Sequence, residues 1–234
     1  MSDILNLTKI TSLALADSVN PCAIAVLTMV LIAILSHNPK KRKQVLYGGL
    51  AFVSAVFFGY LFYGTIIIQF FRLFAEWLRT NSIYVYNGLA IFSMILGALQ
   101  VKDYFSYTPG GIATEMPLWM RPYAKLTIRN ITSPSGAFII GFLVTLFLLP
   151  CTIGPYIVAS GLLSELGIIK SLPWLIYYNL LFILPMIFII GLVYYGFSKV
   201  EEISGWKERN IRQLHLIAGS LLFLVGLGLL RGWL

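Results

Sequence analysis

Six stretches of this chain, roughly 8–36, 45–71, 83–101, 136–164, 173–197 and 211–233, are almost free of charge. Each is long enough as a helix to cross a hydrocarbon layer about 30 Å thick, which takes roughly 20 residues. In lipid a spanning segment must satisfy every backbone N–H and C=O either within itself or in a closed barrel. The ten-residue apolar/polar alternation of barrel strands is missing here. The expectation is an all-α polytopic membrane protein with six transmembrane helices. Composition agrees: 59% of the 234 residues are hydrophobic and 11% charged, with a mean hydropathy of +0.86. That is too little charge to cover a soluble domain. The first run lacks the basic lead of a secretory signal, because Asp3 precedes the first lysine, Lys9. It also lacks the usual small-residue cleavage site, so it is expected to be a retained helix.

The net charge of +8 is explained by where the basic residues fall. Lys40, Lys41, Arg42, Lys43, Lys102, Arg121, Lys125, Arg129, Lys199, Lys207, Arg209 and Arg212 fall on one side of a six-helix topology. Lys9, Arg72, Arg79, Lys170 and Arg231 fall on the other, giving 12 against 5. Positive loops stay in the cytoplasm, which places both termini outside. The basic excess is therefore a topology signal, and no nucleic-acid partner is expected.

Six helices divide into three and three: a first repeat at 1–102, a cytoplasmic loop at 103–135 and a second repeat at 136–234. Three-helix units in this arrangement start on opposite sides of the membrane, so any repeat is inverted. The loop holds Pro109-Gly110-Gly111, Pro117, Pro122 and Pro134, with a short interfacial helix expected over Leu118–Arg129. Asn130-Ile131-Thr132 has the form of a glycosylation sequon, but a cytoplasmic loop would leave it unmodified. Ala51, Ala55 and Gly59 put one small residue on each turn of the second helix, and Ser93 and Gly97 do the same in the third. Both read as helix-packing seams.

The chain has two cysteines, and each directly follows a proline: Asn20-Pro21-Cys22 in the first helix of the first half and Leu149-Pro150-Cys151 in the first helix of the second. At about 1.5 Å per residue, Cys22 lies about 20 Å from the cytoplasmic face and Cys151 about 22 Å. The matched depth permits the Cα approach of about 7 Å or less that a disulfide needs. Proline removes a donor and disturbs the preceding turn, yet suits the first position of a helix. Asn20 is a good cap for a helix starting at Pro21. That start would put Cys22 at the positive end of a helix dipole, a setting that suits a reactive sulfur. In the second half, Cys151-Thr152-Ile153-Gly154-Pro155 is expected to unwind, which lipid tolerates only around a cavity or within protein.

Other residues read more plainly. His37 and His215 are expected at the cytoplasmic interface rather than as metal ligands, and two cysteines alone underfill a zinc site. Asp17 reads as an outer-interface carboxylate in preference to a proton-handling group. Trp77, Trp174 and Trp233 fall where an aromatic belt would lie. Pro173 is expected to open the fifth helix and Pro185 to kink it.

Six helices with Pro21-Cys22 in the first and Pro150-Cys151-Thr152-Ile153-Gly154-Pro155 in the fourth resemble the CcdA family. These are small membrane proteins of cytochrome c biogenesis, related to the central membrane domain of DsbD. The resemblance extends over nearly the whole chain. It implies a thiol:disulfide oxidoreductase of the prokaryotic cytoplasmic membrane. Such a protein takes two electrons from cytoplasmic thioredoxin and passes them to a thioredoxin-like acceptor outside, with no cofactor beyond the cysteine pair. It further implies that Cys22 and Cys151 cycle between dithiol and disulfide, with Cys22 forming the mixed disulfide with thioredoxin. The chain lacks the soluble domains that flank the membrane part of DsbD, so the outer acceptor is expected to be a separate protein. Because the sulfurs lie deep, alternating access by the two halves is the economical mechanism, with Pro21, Pro150, Gly154 and Pro155 as hinge candidates. Two rivals are weighed beside this: a small-solute or heavy-metal transporter using soft thiolate ligands, and a membrane scaffold whose cysteines only pack.

Overall fold

The computed structural model describes residues 2–19, 21–37, 42–73, 82–107, 117–129, 134–164, 166–196 and 199–231. The side chains of 2–6, 36–37, 42, 82–83, 85–86, 129, 134–135, 147, 149–151 and 153 are not described. Helices α1 (Ser2–Ser18), α2 (Pro21–His37), α3 (Arg42–Leu73), α4 (Ser82–Phe105), α5 (Met120–Arg129), α6 (Pro134–Ser164), α7 (Ile168–Tyr195) and α8 (Val200–Leu230) make up almost all of it, and no strand occurs among the described residues. Among the described residues, four segments are long and apolar enough to cross a membrane: Lys43–Leu73, Asn87–Phe105, Ile168–Tyr195 and Val200–Leu230. The pair α1/α2 makes a fifth when its two pieces, bent 50° to each other, count as one span. The protein is α-helical and built for a membrane, as the apolar runs require.

Against six expected spans, four or five are found among the described residues; several helix ends also differ from expectation. The fifth apolar run opens at Ile168, five residues before Pro173, so Pro173 and Pro185 both lie inside α7. Gly167, with φ 81°, turns the chain into the helix, a conformation that costs glycine little. Ser171 Oγ then bonds back to the Gly167 carbonyl at 2.7 Å. Near a helix start the missing N–H of Pro173 disturbs little. The sixth run is preceded by eleven more helical residues, because α8 begins at Val200. Glu202 Oε2 accepts the Lys199 N–H at 3.1 Å, and Glu201 and Glu202 occupy the first turn, where the helix dipole favours negative charge. A hydropathy reading stops where the apolar residues stop; the capped helix continues. The loop helix is present as α5, with Ala124 and Ile128 buried and Trp119, Tyr123 and Leu126 near it exposed.

Packing follows the small residues. α3 lies along α6, where a Cβ on Gly59 would stand 3.0 Å from Thr145 Oγ1 and one on Gly141 would stand 3.0 Å from the Ala55 Cβ. α4 lies along α8 with backbone nearly touching backbone. A Cβ on Gly97 would reach 2.7 Å from the Gly219 carbonyl oxygen, and one on Gly226 would reach 2.7 Å from the Ala90 carbonyl oxygen. Ser93 Oγ donates to the Leu222 carbonyl at 2.7 Å across the same seam. In lipid, where burial of apolar surface does not drive helices together, such close approach is what holds them. Gly219→Leu is therefore expected to lower the thermal midpoint of the detergent-solubilised protein by an overpacking cost of about 1–3 kcal/mol. Gly88→Ala, whose added Cβ meets nothing within 4 Å, should leave the midpoint unchanged or raise it.

Candidate functional site

The first apolar run breaks where the sequence places its proline. The last turn of α1 closes with the Val19 N–H on the Leu15 carbonyl, and α2 begins at Pro21. Proline at that first position has no N–H to leave unsatisfied. Asn20, the expected cap, lies outside the described residues. Cys22 is the second residue of α2 and 7% exposed.

Cys22 lines a cavity of about 360 Å³. Its α2 wall is one helical face, Cys22, Ala25, Val26 and Met29, the i, i+3, i+4 and i+7 positions that share a stripe. Arg121 and Ala124 of α5 form a second wall, and Lys207, Glu208 and Ile211 of α8 a third; Tyr107, just beyond α4, joins them. The lining is mostly apolar, with Arg121, Lys207 and Glu208 as its charged residues. Arg121 and Lys207, which the chain order places on the same side of the membrane, line this one cavity. The sequence reading missed Tyr107, Arg121, Lys207 and Glu208 as site residues. They come from three separate elements, and no motif spacing connects them. His215, expected at the interface, is 1% exposed, with its ring 6.1 Å from that of Tyr107. The described residues of His37 end at its backbone. A second cavity of about 510 Å³ lies on the other side of α2, between Ile24, Phe188 and Trp206.

The second motif behaves differently. α6 runs as a continuous helix through Pro150, Cys151, Gly154 and Pro155, so the expected unwinding of Cys151–Pro155 does not occur in this structure. Gly154 has a packing reason: a Cβ there would stand 2.4 Å from Leu96 Cδ1 of α4. The helix stays regular because it is gripped on that face. The side chains of Pro150 and Cys151 lie outside the described residues.

Next to Cys151, Thr152 enters a buried polar cluster. Its Oγ1 bonds to the Tyr60 hydroxyl at 2.7 Å. One turn on, the Tyr156 hydroxyl donates to the Tyr60 carbonyl, and its ring packs edge-on against Tyr178 with centroids 5.2 Å apart. The Tyr178 hydroxyl donates to Asp17 Oδ2 at 3.0 Å. Asp17 is 1% exposed. α1 packs against α6, α7 and α8. An acidic residue within an otherwise apolar run was the available signal; its three tyrosine neighbours were not predictable from spacing. No protein-family model, curated protein or solved structure matches the chain.

In a Cys151→Ser protein, a water-soluble maleimide should label Cys22 through the cavity. Ala25→Trp, which fills the α2 wall, should slow that labelling by about an order of magnitude, measured by mass shift against time.

Proposed function

We propose that this chain is a transmembrane thiol:disulfide conduit, carrying reducing equivalents from cytoplasmic thioredoxin to a thioredoxin-like protein outside. The observation that carries the reading is Cys22 on the opening turn of a broken helix, on the wall of a cavity that Arg121, Lys207 and Glu208 also line. The other cysteine of the chain sits after a proline in the corresponding helix of the second half. Six spans in two inverted repeats fit this function, with α1/α2, α3 and α4 answering to α6, α7 and α8. The packing supports that pairing, because contacts that the pseudo-symmetry would exchange occur together. α3 lies on α6 as α1 lies on α7, α2 touches α3 as α6 touches α7, and α1 and α2 meet α8 as α4 meets α6.

In the proposed cycle a thioredoxin thiolate reaches Cys22 through the cavity and opens a Cys22–Cys151 disulfide, forming a mixed disulfide that thioredoxin's second thiol resolves. The reduced pair then reduces the outer acceptor after the halves rearrange. The chain resides in the cytoplasmic membrane of a prokaryote with both termini outside, and needs no cofactor for this exchange. The unequal halves, one helix broken at Pro21 and its counterpart α6 continuous, suit a conformation open on one side.

A thiol count on the purified protein tests the reading. Two alkylatable thiols should appear after incubation with reduced thioredoxin, and Cys22→Ser should abolish the effect. Two reactive thiols throughout, insensitive to oxidised thioredoxin and masked by a soft metal ion, would overturn it in favour of a transporter. Pro21→Ala, which lets α1 and α2 join, should slow electron transfer several-fold while leaving membrane insertion intact, read as thioredoxin oxidation in proteoliposomes.

A further inference from the structure

The cavity beside Cys22 offers more than a path for a protein thiol. Its volume of about 360 Å³ falls in the range of roughly 300–1,000 Å³ that holds a small molecule. Cys22 is 7% exposed, whereas Arg121 and Lys207 are half-buried and Glu208 is exposed. The sulfur-bearing residue is thus more enclosed than the charged residues that share its cavity. Two cations and one carboxylate line the space, and their grouping is definite. Lys207 and Glu208 are consecutive on α8, so a positive and a negative group stand side by side on one wall. Arg121 stands on another wall, contributed by α5.

That grouping describes its ligand. An α-amino-acid end, with ammonium and carboxylate on one carbon, complements the adjacent Lys207 and Glu208. A second carboxylate complements the Arg121 guanidinium, whose fork takes both carboxylate oxygens at once. A sulfur between the two ends would come to Cys22. We propose that the Cys22 cavity binds a low-molecular-weight cysteine peptide, bearing one α-amino-acid end and one further carboxylate, and that Cys22 exchanges disulfides with it. This rests on the conduit reading for the exchange chemistry of Cys22, and adds a small-molecule substrate to the protein one. The step balances on Cys22 alone. Its thiolate attacks one sulfur of the oxidised peptide; the peptide S–S bond breaks and a Cys22–peptide disulfide forms. The electron pair leaves on the released peptide thiolate, which takes up the proton that the Cys22 thiol gave to water. One disulfide replaces another, so no outside oxidant or reductant enters.

The test uses the full chain as Cys151→Ser in lipid nanodiscs, which leaves Cys22 as its one thiol. The probes are oxidised glutathione, which carries the required groups, and its fully esterified form, in which every carboxylate is masked. Formation of the Cys22 mixed disulfide is followed by intact mass. Each rate is divided by that of the same probe with a free cysteine derivative, which removes intrinsic reactivity. Oxidised glutathione should lead the ester by about tenfold, as charge-assisted hydrogen bonds would give, and its rate should saturate with concentration. Arg121→Gln and Lys207→Gln should each cut that lead several-fold. Glu208→Gln should cut the lead of oxidised glutathione over its N-acetylated form. Equal normalised rates for glutathione and ester, or a lead that neither Arg121→Gln nor Lys207→Gln changes, would overturn the peptide site. The conduit would still stand if the same protein formed a mixed disulfide with a pre-activated thioredoxin whose second cysteine is serine. A Cys22 that joins neither glutathione nor thioredoxin would overturn both.

Discussion

A helix in lipid has no water to take up a backbone group that loses its partner, so any interruption of the hydrogen-bond ladder has to be absorbed by the protein itself. In this chain the first apolar run is interrupted between Ser18 and Pro21. Pro21 has no N–H for the carbonyl four residues back, which is that of Asp17. The chain answers with two helices meeting at 50°, and the functional geometry follows from that answer. Cys22 becomes a residue of a helix's opening turn instead of a mid-helix side chain. The bend leaves room beside it that α5 and α8 wall in without filling, and the Asp17 side chain is turned in among the tyrosines of α6 and α7.

The same constraint is met by close packing elsewhere. The α4–α8 seam brings backbone against backbone through Gly97, Gly219 and Gly226, and Ser93 ties it with a hydrogen bond. α3 and α6 approach through Gly59, Ala55 and Gly141. These seams are dry, small-residue contacts. A cluster of buried polar side chains lies where α1, α3, α6 and α7 meet, linking Asp17, Tyr178, Tyr60 and Thr152 to their neighbours.

The contrast between the two motifs shows where local rules stop. Pro21 and Pro150 have the same neighbour and comparable positions, yet one begins a helix and the other lies inside a continuous one. Proline's missing donor is identical in both. What differs is the surroundings: Gly154 of α6 is pressed against Leu96, and Thr152 is bonded to Tyr60, contacts that favour an unbroken helix through its prolines. At Pro21 the chain starts a new helix beside the cavity that Pro21 and Cys22 line. The expected unwinding at Cys151–Pro155 weighed the sequence's helix breakers alone and could not weigh the neighbours.

Local sequence determined most of the architecture, because hydropathy in a lipid solvent acts on each segment separately. The helical class, the approximate apolar runs, the packing role of Ser93 and Gly97, the short helix in the polar loop and the break at Pro21 all follow from residues close together in the chain. Tertiary structure decided what depends on several segments at once. It brought Tyr107, Arg121 and Lys207 around Cys22, carried α8 back to Val200 over the cavity, and enclosed Asp17 and His215. Burial of a polar side chain is a property of what packs around it, and no single segment carries that information.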